Sequence, residues 1–253
     1  MTGVLRTFLF AWQFLTAIPL SRSTHDAKPE ELAASMSWYP LVGCLLGLLL
    51  ATTDLFLARF FSTQVTSLAL MLLLIGITRG LHQDGLADMV DGLAGGRTVQ
   101  ARLAIMKDGR IGAIGATGLF LSLGLRYAGL NTLPVGEHIA LLISMPVVGR
   151  WAMVVGAFRA TYARSEGGLA QPFLAYLSWL HLCAATLTAG LVLTLLLGPW
   201  TALGSLLLGA VLIRLSMVWF HRMFGGTTGD LLGATNEVAE ILFIVIVPVV
   251  FFR

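Results

Sequence analysis

Long segments without a single charged residue constrain this chain more than any other feature of its sequence. Between Glu166 and Arg214 there are 47 consecutive residues without Lys, Arg, Asp or Glu. A membrane-crossing helix needs about 20 mainly apolar residues, so this stretch holds most of two helices, with a turn at Gly198-Pro199. Charged residues make up only 11% of the chain, against about 25% in soluble domains. The pattern predicts a polytopic membrane protein rather than a soluble enzyme or a disordered chain.

The apolar runs are continuous and long, which favours helices over the short alternating strands of a membrane β-barrel. We predict an all-α, polytopic integral membrane helical bundle that forms one domain over residues 1–253. Residues 4–20 are apolar but short, and they fit an eighth span, a re-entrant segment or a membrane-associated interfacial helix. The seven predicted membrane-spanning helices are 38–58, 62–79, 111–131, 138–158, 175–197, 201–220 and 238–252.

Three polar segments lie between the predicted spans, at 80–110, 159–174 and 221–237. All three contain Arg or Lys, whereas the connections 132–137 and 198–200 contain neither. The positive-inside rule places the polar segments on the cytoplasmic side, and the alternation of the spans places them on one side independently. We therefore expect a cytoplasmic site that is built from three parts of the chain.

Charge and cysteine content exclude several other classes of protein. The net charge of +3 is too small for a basic surface that binds nucleic acid, so we expect no nucleic-acid partner. The two cysteines, Cys44 and Cys183, lie inside apolar runs, and their spacing supports neither a disulfide framework nor a metal cluster. We expect both to be packing residues at lipid depth. The lipid bilayer is the partner that the composition predicts.

The first polar segment carries three aspartates at i, i+4 and i+7: Asp84, Asp88 and Asp91. On a helix this spacing puts the carboxylates in one stripe, where like charges repel by a few tenths of a kcal/mol per pair. A divalent cation would offset the repulsion, and carboxylate oxygens suit magnesium or manganese. A solvated helix face is the alternative. With Asp108, however, four of the 13 acidic residues fall within 25 positions, which favours a metal-binding, catalytic role.

Three further residues near this stripe are candidates for the same site. Asp108 is a candidate fourth carboxylate, and Arg110 is a forked donor suited to a phosphate group. The alternative for Arg110 is an anchor at the end of a span. His82 reaches the stripe only if 80–83 is a loop, because on a continuous helix it would face away from Asp84. We treat His82 and Asp108 as catalytic candidates and Arg110 as a substrate-binding candidate.

The third polar segment begins with a glycine-rich stretch, GGTTGD at 225–230. Glycines around two threonines let backbone N–H groups approach a phosphate, although no Walker A lysine follows. One of the threonines is expected to cap a helix that begins near Asp230, and Asp230 to complete the metal site from across the fold. The substrate-binding candidates in this segment are Gly225, Gly226, Thr227, Thr228, Asn236 and Glu237.

Charged residues inside the predicted spans are functional candidates by default. Glu237 and Glu240 enter the last span, and for Glu240 an interfacial acid at the helix start is the alternative. Arg150 and Arg214 also fall inside spans. Each of these arginines either lines a cavity that leads to the acidic site or extends its side chain to the interface.

Three blocks of the sequence together resemble the cobalamin synthase family, adenosylcobinamide-GDP ribazoletransferase. Residues 81–92 (LHQDGLADMVDG), 105–112 (IMKDGRIG) and 225–234 (GGTTGDLLGA) are similar to the family's motifs and follow in the same order. The resemblance runs from about residue 8 to 240, nearly the whole chain. The departures from the family pattern are Gln83 in place of Glu, Lys107 in place of Arg and Gly109 in place of Ser.

The resemblance implies a multi-pass enzyme of the bacterial cytoplasmic (inner) membrane that acts last in the assembly of cobalamin. Its substrates would be adenosylcobinamide-GDP and α-ribazole or α-ribazole 5′-phosphate, and its products adenosylcobalamin, or the 5′-phosphate, and GMP. The family uses magnesium, which would neutralise the pyrophosphate while the ribazole 3′-hydroxyl attacks the cobinamide-linked phosphorus. A second copy of the chain and other enzymes of cobalamin assembly are further candidate partners.

Two other classes of membrane protein fit parts of the pattern. CDP-alcohol phosphotransferases and aromatic prenyltransferases are polytopic and use Asp-rich magnesium sites. The first class expects Arg where Asp88 follows Ala87, and the second expects a further Asp-rich block. A transporter would place its charges near the midplane, in broken helices and repeated halves. No repeat is evident and the acidic residues cluster in the polar segments, so the pattern favours an enzyme.

Overall fold

The computed structural model describes residues 3–20 and 27–252, and those residues form helices and connections without a β-strand. The predicted all-α fold class is confirmed, because the charge-free runs of the sequence become long apolar helices. The helices are α1 (Gly3–Leu15), α2 (Pro29–Ser35), α3 (Tyr39–Leu57), α4 (Thr63–Thr78), α5 (Leu81–Gly95), α6 (Val99–Lys107), α7 (Ala113–Asn131), α8 (His138–Ala157), α9 (Gln171–Tyr176), α10 (Trp179–Leu197), α11 (Pro199–Phe224) and α12 (Gly229–Phe251), with a 3₁₀ turn at Met36–Trp38.

Six segments among the described residues are long and apolar enough to cross a membrane: α2 with α3, α7, α8, α10, α11 and α12. A further apolar segment is the pair α4 and α5, which is bent by 89° at its break. Because α4 is apolar while α5 carries three aspartates, we place α4 in the membrane and α5 along its surface. Three predicted ends differ from the structure by four residues or more: α10 begins at Trp179 rather than at 175, α11 continues to Phe224, and the last helix begins at Gly229 rather than at 238.

The N-terminal apolar segment forms α1, which has 13 residues and is too short to cross the bilayer as a helix. The segment that follows α1 holds the corner between α4 and α5. Arg79 and Gly80 are both left-handed there (φ 55° and 66°), and an arginine rarely adopts that conformation. The Arg79 side chain donates to the Thr16 carbonyl at 3.1 Å, and Ala17 N–H donates to the Ile77 carbonyl. The corner thereby sets the direction of α5.

The helix α8 forms the centre of the bundle, with 17 of its 20 residues buried. The helix α3 packs against it at Gly43 and Gly47, where an added Cβ would collide with the α8 backbone at Pro146 and Ile143. Glycines spaced four apart allow this close approach, and van der Waals packing drives helix association in a bilayer. This central pair supports the helices that carry the polar segments.

The three polar segments contact one another, and the first and third are largely helical whereas the second is helical only from 171 onward. Within 80–110 the helices α5 and α6 form a hairpin, and within 221–237 only 225–228 are non-helical. Tyr162 and Thr227 form a parallel backbone bridge, and the Arg102 guanidinium donates to a carbonyl of the third segment at 2.8 Å. These contacts bring all three segments to one side of the bundle, as the alternation of spans predicts.

Candidate functional site

The predicted helical stripe of aspartates is confirmed on α5. Because the helix is continuous from Leu81 to Gly95, Asp84, Asp88 and Asp91 project along one side of it. Asp84 is exposed, whereas Asp88 and Asp91 are half-buried. The stripe therefore lies at the edge of the bundle, where its carboxylates face both solvent and neighbouring helices.

The N-terminus of α12 lies directly against this stripe. Gly85 makes the approach possible, because an added Cβ there would collide with the backbone of Asp230. Thr228 caps α12, since its hydroxyl oxygen accepts a hydrogen bond from Leu231 N–H at 3.3 Å, and the predicted cap is confirmed. Asp230 therefore lies beside the α5 aspartates, although it follows Asp84 by roughly 150 residues in the sequence.

The carboxylates of α5 and α12 act on one another electrostatically. Burial, together with the charges of Asp84, Asp230 and Asp91, raises the pKa of Asp88 to about 7. Arg164, which the sequence did not single out as a site residue, opposes this shift. Its guanidinium donates to the Asp230 carboxylate at 2.9 Å. The site therefore concentrates negative charge beyond what Arg164 neutralises.

Asp91 makes contacts that the sequence did not predict. One of its oxygens accepts from Gly112 N–H and the other from Gly115 N–H, each at 2.7 Å. Both glycines are needed for this approach, because a Cβ at either position would collide with the carboxylate. Asp91 therefore satisfies free N–H groups at the start of α7 and lies at the positive end of its dipole. Its role as a metal ligand stays a prediction.

Asp108 and Arg110 form an exposed ion pair beside Asp91. The guanidinium donates to both carboxylate oxygens, at 3.0 Å and 2.6 Å, and this hydrogen bonding lowers the pKa of Asp108. The Arg110 side chain is 86% exposed, so it is accessible to a ligand. With Asp91 the pair lines a depression of about 310 Å³ at one end of the stripe. Their predicted roles in catalysis and substrate binding stay predictions.

A larger cavity, of about 600 Å³, opens at the other end of the stripe beside Asp84. The end of α1, the corner between α4 and α5, and α7 supply its walls, with Thr16, Arg79 and Leu119 among the lining residues. Gln83 also lines it, and its buried side-chain oxygen has no hydrogen-bond partner in the described part of the chain. Cavities at both ends of one carboxylate stripe provide room for two ligands side by side.

The structure does not bring His82 to the carboxylates. The prediction of a catalytic His82 required a loop at 80–83, but α5 begins at Leu81, so His82 faces away from the stripe. It is 1% exposed, packs beside Gly233 of α12, and neither ring nitrogen has a hydrogen-bond partner among residues 3–20 and 27–252. This geometry does not support the catalytic assignment of His82, because its imidazole lies on the buried face of α5, opposite to the stripe.

The glycine-rich stretch uses part of its backbone inside the protein. Gly225 N–H donates to the His221 carbonyl at 3.0 Å and Thr227 N–H donates to the Thr161 carbonyl at 2.8 Å. Thr227 and Thr228 are buried, while an added Cβ at Gly226 would collide with the backbone of Thr161. Two of the N–H groups that were predicted to bind a phosphate are therefore already hydrogen-bonded, one at the end of α11 and the other to the second polar segment.

The predicted substrate-binding residues of α12 lie in the interior of the bundle instead. Glu237 accepts a hydrogen bond from Arg126 of α7 at 2.7 Å, and Asn236 donates to Glu240 at 3.2 Å. Glu240 accepts from both Arg126 and Arg150. All five side chains are at most 2% exposed. This corrects the assignment of Asn236 and Glu237, because a buried carboxylate paired with arginine offers no face to a substrate.

Arg126 is the member of this network that the sequence analysis missed. A lone arginine in the apolar run 111–131 is the same signal that identified Arg150 as a candidate, so it was available. Arg214, by contrast, is exposed and donates to the Phe158 carbonyl at 3.0 Å. That contact matches the alternative in which its side chain extends to the interface.

The fit of the acidic site to magnesium rests on its donor set. Within residues 3–20 and 27–252, no three Asp, Glu, His or Cys side chains are already arranged as a metal-binding group. The donors nevertheless suit a hard cation, since Asp84, Asp88 and Asp230 are carboxylates, and burial of Asp88 together with repulsion from the other two raises its pKa. A divalent cation among them would remove that repulsion.

Comparison with known proteins identifies one family over nearly the whole chain. The sequence model of the family described as cobalamin-5-phosphate synthase matches residues 7–248. A protein of Syntrophobacter fumaroxidans named adenosylcobinamide-GDP ribazoletransferase is 41% identical over 237 residues, covering 92% of this chain and 94% of its own. Proteins of the same name from Geotalea daltonii (39% over 241 residues; 94% and 95%) and Chlorobaculum tepidum (38% over 239 residues; 91% and 90%) are also similar. No solved structure matches the chain.

Proposed function

This chain belongs to the cobalamin-5-phosphate synthase family, and we propose that it joins adenosylcobinamide-GDP to α-ribazole or α-ribazole 5′-phosphate. The ribazole 3′-oxygen bonds to the cobinamide-linked phosphorus, and the bond from that phosphorus to GMP breaks. The hydroxyl proton is released, and the products are adenosylcobalamin, or its 5′-phosphate, and GMP. The reaction is the last assembly step of cobalamin biosynthesis.

The observation that carries this proposal is the stripe of α5 carboxylates with Asp230 against it and a cavity at each end. A transfer between two large substrates needs two neighbouring binding positions that meet at one charged centre. The cavity of about 600 Å³ beside Asp84 falls within the usual range of small-molecule sites, about 300–1,000 Å³, and suits a nucleoside acceptor. The depression beside Asp91 and Arg110 suits the pyrophosphate of the donor.

We assign the pyrophosphate to Arg110 because it is the exposed forked donor in that depression. Its present partner Asp108 holds the guanidinium in place, and a pyrophosphate oxygen would replace the carboxylate. Asp91 anchors the start of α7 two residues after Arg110, so it fixes the backbone from which that side chain projects. The corrinoid would lie over the three polar segments at the membrane surface.

We assign magnesium to Asp84, Asp88 and Asp230, with Asp91 beside them as a further candidate ligand. Magnesium bound there would neutralise the pyrophosphate and stabilise the departing GMP. Arg164 holds Asp230 toward the site and limits the repulsion among the carboxylates. Asp88 must be ionised to contribute, and its pKa of about 7 places that change near physiological pH.

We further propose that the site faces the cytoplasm of a bacterial cell, in the inner membrane. The support is the distribution of Arg and Lys, which are absent from the connections 132–137 and 198–200 on the opposite side. The nucleotide-activated donor is charged and does not cross a bilayer unaided, so a cytoplasmic site also matches its chemistry.

Purified protein in detergent tests the proposed reaction directly. With magnesium and adenosylcobinamide-GDP, we expect GMP release only when α-ribazole or its phosphate is added, with an equal amount of the cobalamin product. Release of GMP without an acceptor would indicate a hydrolase. No GMP with both substrates present would contradict the proposal and favour a transporter.

A further inference from the structure

A basic depression lies on the same side of the bundle as the carboxylates but shares no lining residue with the two cavities beside them. It has a volume of about 240 Å³ and lies between the connection that follows α8, the second half of α11 and the start of the glycine-rich stretch. Its charged or titratable lining residues are Arg159, Arg214, His221 and Arg222. None of the described residues that line it is acidic.

The three arginines of this depression lack an acidic partner among residues 3–20 and 27–252. Arg214 donates only to the Phe158 carbonyl, and the Arg159 guanidinium lies over the Phe158 ring, 5.3 Å from its centroid. Elsewhere on this side of the bundle Arg110 and Arg164 are each paired with an aspartate. The depression therefore concentrates positive charge that the described protein does not neutralise, which attracts an anion.

The backbone at Arg159 is unfavourable for an arginine. Ala160 N–H donates to the Ala157 carbonyl at 3.1 Å, Phe158 has φ −64° and ψ 117°, and Arg159 has φ 59°. These are the features of a type II β-turn, in which glycine or asparagine is favoured at the position of Arg159. A larger residue there costs about 1–2 kcal/mol. Strain of this kind at a charged side chain is an indication of a functional role for the guanidinium.

The position of Arg214 places the depression at the membrane interface. The helix α11 has 26 residues and a length of about 39 Å, which exceeds the roughly 30 Å of the hydrocarbon core. Arg214 lies ten residues before its end, and its side chain reaches the Phe158 carbonyl. Leu203, Leu207 and Val211 precede Arg214 on the same side of α11, towards the membrane interior, and are 50–59% exposed. The arginines of the depression therefore lie nearer the membrane surface than these three residues, which form an exposed apolar strip of α11.

We propose that this depression binds the headgroup phosphate of an anionic phospholipid, whose acyl chains lie against the apolar strip of α11. A free phosphate would satisfy the arginines equally well but has no need of apolar contacts below them. The order of cationic and apolar surface matches that of a phospholipid, so the lipid is the favoured source of the phosphate. The site is independent of the proposed reaction.

Thermal unfolding in a neutral detergent tests this site with three probes: phosphatidylglycerol, phosphatidylcholine and inorganic phosphate. We expect phosphatidylglycerol to raise the unfolding temperature of the wild type well above the rise that phosphatidylcholine gives. In Arg159→Gly and in Arg159→Gly with Arg222→Gln, the two lipids should act alike. Arg159→Gly relieves the left-handed strain, so without lipid it should be at least as stable as the wild type.

Arg97→Gln is the matched control, because Arg97 is exposed on the same side and lies outside the depression. It should retain the full response to phosphatidylglycerol. An equal response in the Arg159→Gly variant and the wild type would overturn the proposal, as would an equal loss in the control. Stabilisation of the wild type by inorganic phosphate to the same extent would overturn the lipid assignment in favour of a soluble phosphate.

Discussion

Arg126 on α7 donates to Glu237 on α12 at 2.7 Å, and both side chains are about 2% exposed. The other end of the guanidinium bonds to Glu240, which also accepts from Arg150 of α8. Three membrane-spanning helices are therefore joined by two arginines and two glutamates with no net charge. The α12 helix that they hold in place also carries Asp230 at its first turn, so the buried network supports the position of the acidic site.

The first prediction concerns this network. Arg126→Ala leaves two buried carboxylates with too little positive charge, and we expect a loss of about 3–5 kcal/mol in stability. Arg126→Lys retains the charge but loses the fork, so its loss should be smaller. Thermal unfolding in lipid-free detergent measures both. Arg214→Ala, an exposed arginine of a span, is the control and should change little; equal losses at Arg126 and Arg214 would contradict the account.

The second prediction contrasts the loss of stability when Asp91 is replaced with that when Asp84 is replaced. Asp91→Ala removes two hydrogen bonds to the start of α7 and should lower stability by about 1.5–3 kcal/mol, the scale of hydrogen bonds to a charged group. Asp84 is exposed and its side chain makes no hydrogen bond in the described part of the chain, so Asp84→Ala should leave stability nearly unchanged. Chemical denaturation in detergent checks the difference. A stable Asp91→Ala variant would show that the contacts with α7 are dispensable.

The spans and the acidic stripe could be predicted because their signals are local. A charge-free run of about 20 residues defines a membrane helix, and the spacing of Asp84, Asp88 and Asp91 places them together on any helix. Thr228 likewise caps a helix that starts two residues before Leu231, within reach of simple capping rules. Each of these features depends on residues within a few turns of one another.

The remaining features depend on contacts between distant parts of the chain. The partners of Arg126 lie 111 and 114 residues away, and no spacing rule pairs them. Asp91 was assigned to a metal, but two glycines 21 and 24 residues later let it cap α7. Thr227 is likewise a predicted substrate-binding residue, but its N–H donates to the Thr161 carbonyl of the second polar segment. Tertiary contacts decided how these polar groups are used.

The third prediction concerns pH. Burial and three neighbouring carboxylates raise the pKa of Asp88 to about 7. Below that pH Asp88 is protonated and holds a cation poorly, and above it the ionised form binds better. The affinity for manganese, measured by electron paramagnetic resonance, should therefore rise between about one unit below and one unit above pH 7. An affinity that does not change over that range would contradict the involvement of Asp88.

The fourth prediction concerns the orientation in the membrane. In a background without Cys44 and Cys183, we expect Gly109→Cys and Ser165→Cys to react with an impermeant thiol reagent only after the membrane is permeabilised, so that the reagent reaches its inner face. Gly136→Cys lies in a connection on the opposite side and should react in intact cells. Both glycines accept a side chain without a collision. Labelling of Ser165→Cys in intact cells would reverse the proposed orientation.

The magnesium dependence of GMP release tests the central claim, that carboxylates of α5 and α12 form the metal site of the transferase. Loss of an outer contact to a metal ligand typically costs 10–100-fold in activity, so loss of the ligand itself in Asp88→Asn should cost on the order of a hundredfold or more. Asp230→Asn should raise the magnesium concentration needed for half-maximal release. Glu166→Gln, an exposed acid paired with Lys107, should behave like the wild type. Near wild-type release by Asp88→Asn at limiting magnesium would contradict the claim.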